Sequence, residues 1–141
     1  MQRFEDWDIR LGAAFEAAQS KPFAWGDHDC MTHACTMIHA MTGVDPYADF
    51  RGKYKTSLGA LKQIKARGSE TLLDLVEDLT EKHGMKEIPV AFAQRGDLVY
   101  FDVDQYGAFA IVHHNGIHTI GVGESGLMRL KTLDGKRAWR V

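Results

Sequence analysis

The feature that most constrains the fold is a change of hydrophobic period near residue 95. In the preceding part of the chain, apolar residues recur at helical spacing in four segments, at residues 4–19, 30–42, 58–66 and 71–83. After residue 97 the chain divides into short runs rich in β-branched and aromatic residues, separated by turn residues. Helices followed by strands predict an α+β fold. The length of 141 residues suits one domain over 1–141, with a helical part over about 1–90 and a β-sheet part over about 97–141.

Capping residues predict where the helices begin and end. Asp27 and Asp29 are both good N-caps for the helix over 30–42, and Gly43 is expected to end it. Ser57 is the expected N-cap of the helix that follows. These residues divide the first part of the chain into separate helices joined by polar loops.

Charge and hydropathy exclude several classes of protein. The net charge is −2 and the basic residues are scattered, so no basic face predicts a nucleic-acid partner. A membrane-spanning helix needs roughly 18 consecutive apolar residues, and the chain has no such run. The charged first residues also lack the apolar core of a signal peptide. We therefore expect neither nucleic acid nor a membrane span among the partners of the chain.

The two cysteines, Cys30 and Cys35, lie on one predicted helix. Five residues separate them, which places them about 140° apart around the helix axis, so we expect no disulfide between them. Cys30 is at the start of the helix, where the dipole and free N–H groups stabilise a thiolate and help to form an oxyanion hole. Asp29 opposes this effect unless it points away as a cap. Without further context, a small buried thiol is the alternative interpretation of Cys30.

A metal site is a second alternative for the same segment. Five side chains resemble a ligand cluster: His28, Cys30, His33, Cys35 and His39. Structural zinc needs about four ligands that converge tetrahedrally. On one helix, however, Cys30 and His33 share one side while Cys35 and His39 share another roughly 140–180° away, and no second cluster completes either side. We therefore predict no metal and no cofactor.

The segment before Cys30 belongs to a longer pattern. Phe23, Trp25, Gly26, Asp29 and Cys30 are followed about 65 residues later by "RGDLVYF", which contains Asp97. This pattern resembles the NlpC-type branch of the papain-like cysteine peptidases. The resemblance implies a papain-like fold with Cys30 at the nucleophile position, Asp29 as a motif residue, and Trp25, Gly26 and Asp97 as binding residues.

A narrower resemblance covers the whole chain. The segments "PFAWGDHDC", "MTGVDPYADFRGKYKTSLGAL", "ARGSETL", "PVAFAQRGDLV" and "RAWRV" are similar to a small phage-encoded branch of this superfamily, whose genes lie among tail genes and whose function is not established. This resemblance implies a component of the virion tail, assembled in the bacterial host cytoplasm, with other phage tail proteins and peptidoglycan as partners.

The catalytic histidine of that superfamily has no counterpart in the aligned strand. Anchoring the pattern on the turn at 115–116 places the position of the base at Ala108 and the orienting position near Gly121. Neither side chain accepts a proton, whereas Cys-His catalysis needs a base within hydrogen-bond reach of the sulfur. His28 is a candidate substitute if the loop curls, although we expect it to shape that loop by hydrogen bonding.

The remaining candidate bases lie at a predicted hairpin. Asn115-Gly116 favours the primed two-residue turns, which would place His113 directly opposite His118. His114 shares a strand face with Ala108 but lies about 20 Å along it. We expect all three histidines to lie at a solvated hairpin end, and a metal or pH-sensitive contact is the alternative.

The sequence therefore predicts a tail-tip or baseplate protein, structural or assembly-related, with a degenerate NlpC-type fold. The alternative is an active cysteine hydrolase that cleaves peptidoglycan stem peptides during delivery of phage DNA, with Cys30 as the nucleophile. A third hypothesis is a module that binds cell-wall peptides in the remaining cleft.

Overall fold

A computed structural model describes all of residues 1–141. Four helices come first along the chain: α1 (Trp7–Gln19), α2 (Cys30–Thr42), α3 (Ser57–Ala66) and α4 (Leu72–Lys82). Six strands follow: β1 (Lys86–Ile88), β2 (Leu98–Phe101), β3 (Ala108–Val112), β4 (His118–Gly123), β5 (Gly126–Lys131) and β6 (Arg137–Arg140). Short 3-10 turns occupy Val90–Phe92 and Thr132–Asp134. The predicted α+β fold is confirmed.

The strands form one antiparallel sheet in the order β1-β6-β2-β3-β4-β5. One face carries Leu98, Phe109 and Ile111, which join the helices in the main hydrophobic core. The opposite face carries Val99 and Phe101 within a smaller apolar cluster. Side chains alternate between the two faces because the strand period is two. Helix α2 lies against β3 and β4, so the segment that contains Cys30 meets the middle of the sheet.

The ends of the helices follow capping chemistry in most places. Helix α2 begins at Asp29 with a capping box and ends at Gly43, whose φ of 78° is the left-handed conformation that glycine adopts without strain. The cap of α3 is Thr56 rather than Ser57, because the Thr56 hydroxyl accepts the N–H of Gly59. Ser57 is therefore the first helical residue of α3, which begins one residue earlier than expected.

Two boundaries differ from the pattern of the sequence. Helix α1 starts at Trp7 instead of residue 4, because the main-chain N–H of Phe4 binds the carbonyl of Met41 and holds the preceding residues against the end of α2. Strand β1 comes before residue 97 and pairs with the last strand, β6. Only pairing with a distant part of the chain makes so short a segment a strand. No helix combines the length and apolar character needed to cross a membrane.

Candidate functional site

The loop before α2 is shaped by Gly26. Its φ is +80°, and a β-carbon placed there would lie 2.2 Å from the carbonyl oxygen of Tyr54. The main chain can approach the 44–55 loop this closely only without a side chain. Trp25, the preceding residue, is half-buried and meets Phe23 edge-on at 5.0 Å between ring centroids. These contacts hold the turn that leads into Cys30.

Asp29 serves as a structural cap. One carboxylate oxygen accepts the N–H of Thr32 at 2.9 Å, and the other accepts the N–H of Gly26 at 2.8 Å and the hydroxyl of Tyr54 at 2.6 Å. Tyr54 in turn contacts the hydroxyl of Tyr47 at 3.0 Å. The carboxylate is buried, and these three donors account for it without a ligand or a partner histidine.

Cys30 is the first residue of α2 and is half-buried. Burial raises the pKa of its thiol to about 12, the nearby charge of Asp29 adds to this rise, and the main-chain N–H of Phe109, which favours the thiolate, offsets only part of it. Desolvation therefore outweighs the effect of the helix N-terminus, which by itself favours the thiolate and lowers the pKa. At neutral pH the sulfur is a thiol, not a nucleophilic thiolate.

The first strand residues beside the thiol belong to β3. The main-chain N–H of Phe109 faces the sulfur, and Ala108, where the sequence pattern put the base, is the buried first residue of β3. Ala108 pairs with Phe101, so its methyl group lies on the sheet face opposite the helices and Cys30. A β-carbon on Gly121 would lie 3.2 Å from the β-carbon of Ala110, tighter than ordinary packing allows. Both aligned positions therefore lie on the sheet face away from α2 and do not direct a side chain at the thiol.

His28 lies buried in the loop before Cys30. Its main chain shapes the loop, because its N–H donates to the Ala24 carbonyl at 2.7 Å and its own carbonyl accepts the Ala24 N–H at 3.1 Å. The imidazole meets the ring of His33 edge-on at 5.8 Å. Burial and the charge of Lys21 lower the pKa of His28. Its hydrogen bonding to the loop is thus through the backbone, and a role as base stays a prediction.

His33 is the site residue whose importance the sequence did not reveal. It is almost fully buried, and neither ring nitrogen has a hydrogen-bond partner within the chain. Phe15 lies 6.2 Å away between centroids, and the Ile120 carbonyl faces the ring without hydrogen-bond alignment. Burial, followed by the charge of His28, lowers the pKa of His33 to about 4. The only sequence signal for His33 was its position three residues after Cys30, which indicates that the two side chains share one side of α2. That spacing does not reveal the burial of the ring.

The hairpin histidines are more enclosed than expected. His113 is opposite His118, as predicted, with its N–H donating to the His118 carbonyl at 2.8 Å. His114 reaches the Asp8 carbonyl on α1 at 3.0 Å, and His113 lies against Phe15 at 5.6 Å. The hairpin end therefore rests on α1, and all three histidines are half-buried.

The turn of this hairpin is not the primed type. Asn115 does not have a positive φ, whereas a primed Asn-Gly turn of type I′ requires one at both central residues. Instead the Asn115 side-chain oxygen accepts the N–H groups of Ile117 and His118, both at 3.0 Å. This side-chain turn widens the loop to four residues, 114–117.

Asp97 lies in a different part of the structure from the α2 loop contacts. Its carboxylate is fully buried and binds Arg3 at 3.1 Å and Arg140 at 3.0 Å, as well as the N–H groups of Gln94 and Val141. These contacts tie the first residues, the start of β2 and the end of β6 together. They explain Asp97 as a structural anchor, and its binding role stays a prediction.

No group of three or more histidine, cysteine, aspartate or glutamate side chains converges in a way that could hold a metal ion. Cys30 and Cys35 are both free thiols. The five histidines and cysteines of the 28–39 segment are thus distributed around the helix and its loop rather than directed at one point.

Comparisons with known proteins add the family and the fold. A family model described as Domain of unknown function (DUF6950) matches residues 2–141. No curated protein matches the sequence. Among solved structures, the crystal structure of the NlpC/p60 domain of the peptidoglycan hydrolase SagA is similar, with a TM-score of 0.56 and 14% identity, over 95% of this chain and 98% of that chain. At such low identity the likeness shows the fold, and the predicted NlpC-like, papain-type fold is confirmed.

Proposed function

We propose that this chain, which belongs to the family described as Domain of unknown function (DUF6950), is a non-hydrolytic protein with an NlpC-like fold that serves in a phage tail. The observation that carries the non-hydrolytic part is the environment of Cys30. The strand group that faces its thiol is the main-chain N–H of Phe109, an apolar residue, and burial raises the pKa of the thiol to about 12. A thiol that stays protonated is a poor nucleophile at neutral pH.

The phage-tail part of the proposal rests on the resemblance of the sequence segments described above. In this proposal the chain is a structural or assembly component of the tail tip or baseplate. It is assembled in the bacterial host cytoplasm and contacts other tail proteins in the virion. An NlpC-like fold suits this role because a protein can retain a stable scaffold after the catalytic groups are lost.

The competing function is a cysteine hydrolase acting on peptidoglycan stem peptides. The observation in its favour is that two histidines, His28 and His33, lie close to the start of α2, with a lowered pKa in each case. In this mechanism Cys30 would attack an amide carbonyl, and N–H groups at the start of α2 would stabilise the oxyanion. The relative in the structural comparison is itself a peptidoglycan hydrolase domain.

A hydrolysis assay separates the two functions. Purified wild-type protein and Cys30→Ala are incubated with peptidoglycan, and newly released amines are measured. We expect no release above background from either protein. Release by the wild type that is absent from Cys30→Ala would refute the non-hydrolytic proposal and support the hydrolase. The Cys35→Ala variant is the matched control, because it removes the other thiol of the same helix.

The tail role is tested in a phage that encodes the chain. Virions are purified from cells carrying wild-type, Cys30→Ala or deleted genes, and the chain is detected in tails by immunogold labelling. We expect Cys30→Ala virions to contain the chain and to infect normally, and the deletion to stop tail assembly. Intact, infectious virions from the deletion would contradict the structural role.

A further inference from the structure

The two edges of the sheet are different. At one edge, β1 has only three residues and is followed directly by Pro89. At the other edge, β5 has six residues, Gly126–Lys131, and contains no proline. A long, regular edge strand presents unpaired N–H and C=O groups, and proteins normally shorten, cover or interrupt such edges. β5 carries the longer unpaired edge of the sheet.

The pairing of β5 with β4 identifies the free main-chain groups. The N–H of Thr132 donates to the Ile117 carbonyl at 2.9 Å, and hydrogen-bonded pairs alternate along an antiparallel ladder. On this alternation Gly126, Met128 and Leu130 bond to β4. The N–H and C=O groups of the other three residues point to the open edge, and these are Leu127, Arg129 and Lys131. We call these three residues the β5 edge.

The side chains of the β5 edge lie on the same sheet face as the helices but extend beyond them. All three are exposed, and Leu127 retains 40% of its accessible surface. Leu127 and Arg129 border a groove of about 210 Å³ whose far wall is Phe15 and Gln19 of α1. A strand added along the β5 edge would therefore place alternate side chains beside this groove.

The β5 edge carries positive charge that no ion pair of the chain engages. Arg129 and Lys131 take part in none of the seven ion pairs of the chain. His113 also borders the groove, and the charges that lower its pKa, after burial, come from His114, Arg129 and His118, all of them basic.

We propose that the β5 edge docks an extended acidic segment of another protein, which pairs with β5 as an added strand. The main-chain groups of the edge supply affinity in this mode, and the alternate side chains supply selectivity. Carboxylates at alternate positions of the segment would face Arg129 and Lys131. Opposite charges directly across two strands are favourable, and like charges are unfavourable.

A second copy of this chain is a poorer occupant. In antiparallel pairing of β5 with itself, centring on Arg129 places that arginine opposite its own copy. Shifting the pairing by two residues in one direction places Arg129 opposite Lys131, and the same shift in the other direction places Arg129 opposite Leu127. The same cations that select an acidic segment therefore disfavour two of these three registers of self-association. The proposal goes beyond the proposed function and does not depend on the chemistry of Cys30.

The experiment uses a fluorescein-labelled peptide of alternating glutamate and valine with threonine ends. A matched peptide has lysine in place of glutamate, and a third has alternate backbone nitrogens methylated. Binding to the full chain is measured by fluorescence anisotropy at low salt. We expect binding of the glutamate peptide only, and increased protection of the amides of the β5 edge from hydrogen exchange when it binds.

Two charge-reversal variants test the location. Arg129→Glu with Lys131→Glu is expected to weaken the glutamate peptide at least tenfold and to allow the lysine peptide to bind. Lys62→Glu with Lys65→Glu makes the same charge change on exposed positions of α3 and is expected to leave binding unchanged. Circular dichroism and the melting temperature establish that both variants are folded.

Three results would overturn the proposal: no binding of the glutamate peptide to the wild type, equal weakening in both double variants, or equal binding of the methylated peptide. Sedimentation showing that the wild-type chain dimerises through β5 would also overturn it. If the β5 variant fails to fold, the methylated peptide still decides the question on the wild-type chain. None of these results affects the peptidoglycan assay, so the two proposals fail separately.

Discussion

Replacing His33 with leucine tests the energetic consequence of burying an imidazole with no hydrogen bonds. The ring lies among α1, α2 and β4, and its pKa is lowered from 6.5 to about 4. The unfolded chain therefore takes up a proton as the pH falls through 6.5, while the folded chain resists it until about pH 4. Stability is lost as the pH falls across this window.

The magnitude follows from the two pKa values. At about pH 4.5 the unfolded state is almost fully protonated at His33 and the folded state only partly, which costs the wild type about 2.5 kcal/mol of unfolding free energy relative to pH 7. His33→Leu removes this cost. At pH 7 the variant also no longer buries two ring nitrogens without hydrogen bonds. This gain in stability, about 1 kcal/mol, offsets the loss from the imperfect fit of leucine.

The assay is urea unfolding of both proteins between about pH 7 and about pH 4.5, followed by tryptophan fluorescence. Burial lowers the pKa of His28 and of His113 as well, so both proteins lose stability in acid, and only the difference between them reports on His33. Part of this difference reflects the repulsion between His33 and His28. His39→Gln is the matched control, because it removes an exposed histidine from the same helix.

We expect the stability advantage of His33→Leu to grow by about 2.5 kcal/mol toward acid pH, and the control to track the wild type. Parallel pH profiles for wild type and His33→Leu would refute the reasoning. They would mean that the folded protein protonates His33 as readily as the unfolded chain, and hence that the ring is hydrated or has a partner.

Three other predictions follow from single residues. Gly26→Ala should reduce the free energy of unfolding, measured in urea, by about 3 kcal/mol, because alanine is strained at a left-handed φ and its β-carbon would clash with the main chain of Tyr54. Gly52→Ala is the control: its φ is also positive, at +71°, but the position is open, so it should cost only about 1 kcal/mol. Equal losses in the two variants would contradict the clash. Asp97→Asn should cost about 3 kcal/mol or more, since it removes the charge of a fully buried carboxylate that pairs with Arg3 and Arg140, and an unchanged melting temperature would contradict this. Iodoacetamide should label Cys30 slowly at about pH 7.5, and the labelling rate should rise about tenfold per pH unit until the pKa of about 12 is reached. The rate is measured by mass spectrometry in a Cys35→Ala background. A rate that stops rising below about pH 9 would show an activated thiolate.

The secondary structure of the chain was largely predictable because its signals are local. The period of the apolar residues, the cap at Asp29 and the stop at Gly43 place α2 where the sequence predicts it. The resemblance of the Cys30 segment to NlpC-type enzymes also led to the correct fold. Strand β1 was missed because three residues carry no usable period, and its pairing with β6 depends on residues about 50 positions away.

The chemistry of the candidate site was less predictable because it depends on what surrounds each group. The helix N-terminus at Cys30 favours a thiolate, and only the packing of α2 on β3 shows that burial outweighs it. Asp29 occupies the position of a motif residue in the resembling enzymes. In the structure it is a helix cap, and the hydroxyl of Tyr54, 25 positions away, completes that role by donating to its carboxylate. Hydrogen bonds and desolvation are set by distant neighbours, which a local pattern does not contain.

The sequence alone determined the order of helices and strands, the capped start of α2 at Cys30, and the alanine at the strand position of the base, since each follows from local residue types and spacing. The tertiary structure decided the protonation of Cys30, the isolation of His33 and the open, positively charged edge of β5. These properties arise where separate elements meet, because desolvation, partner geometry and edge exposure exist only after the chain has packed.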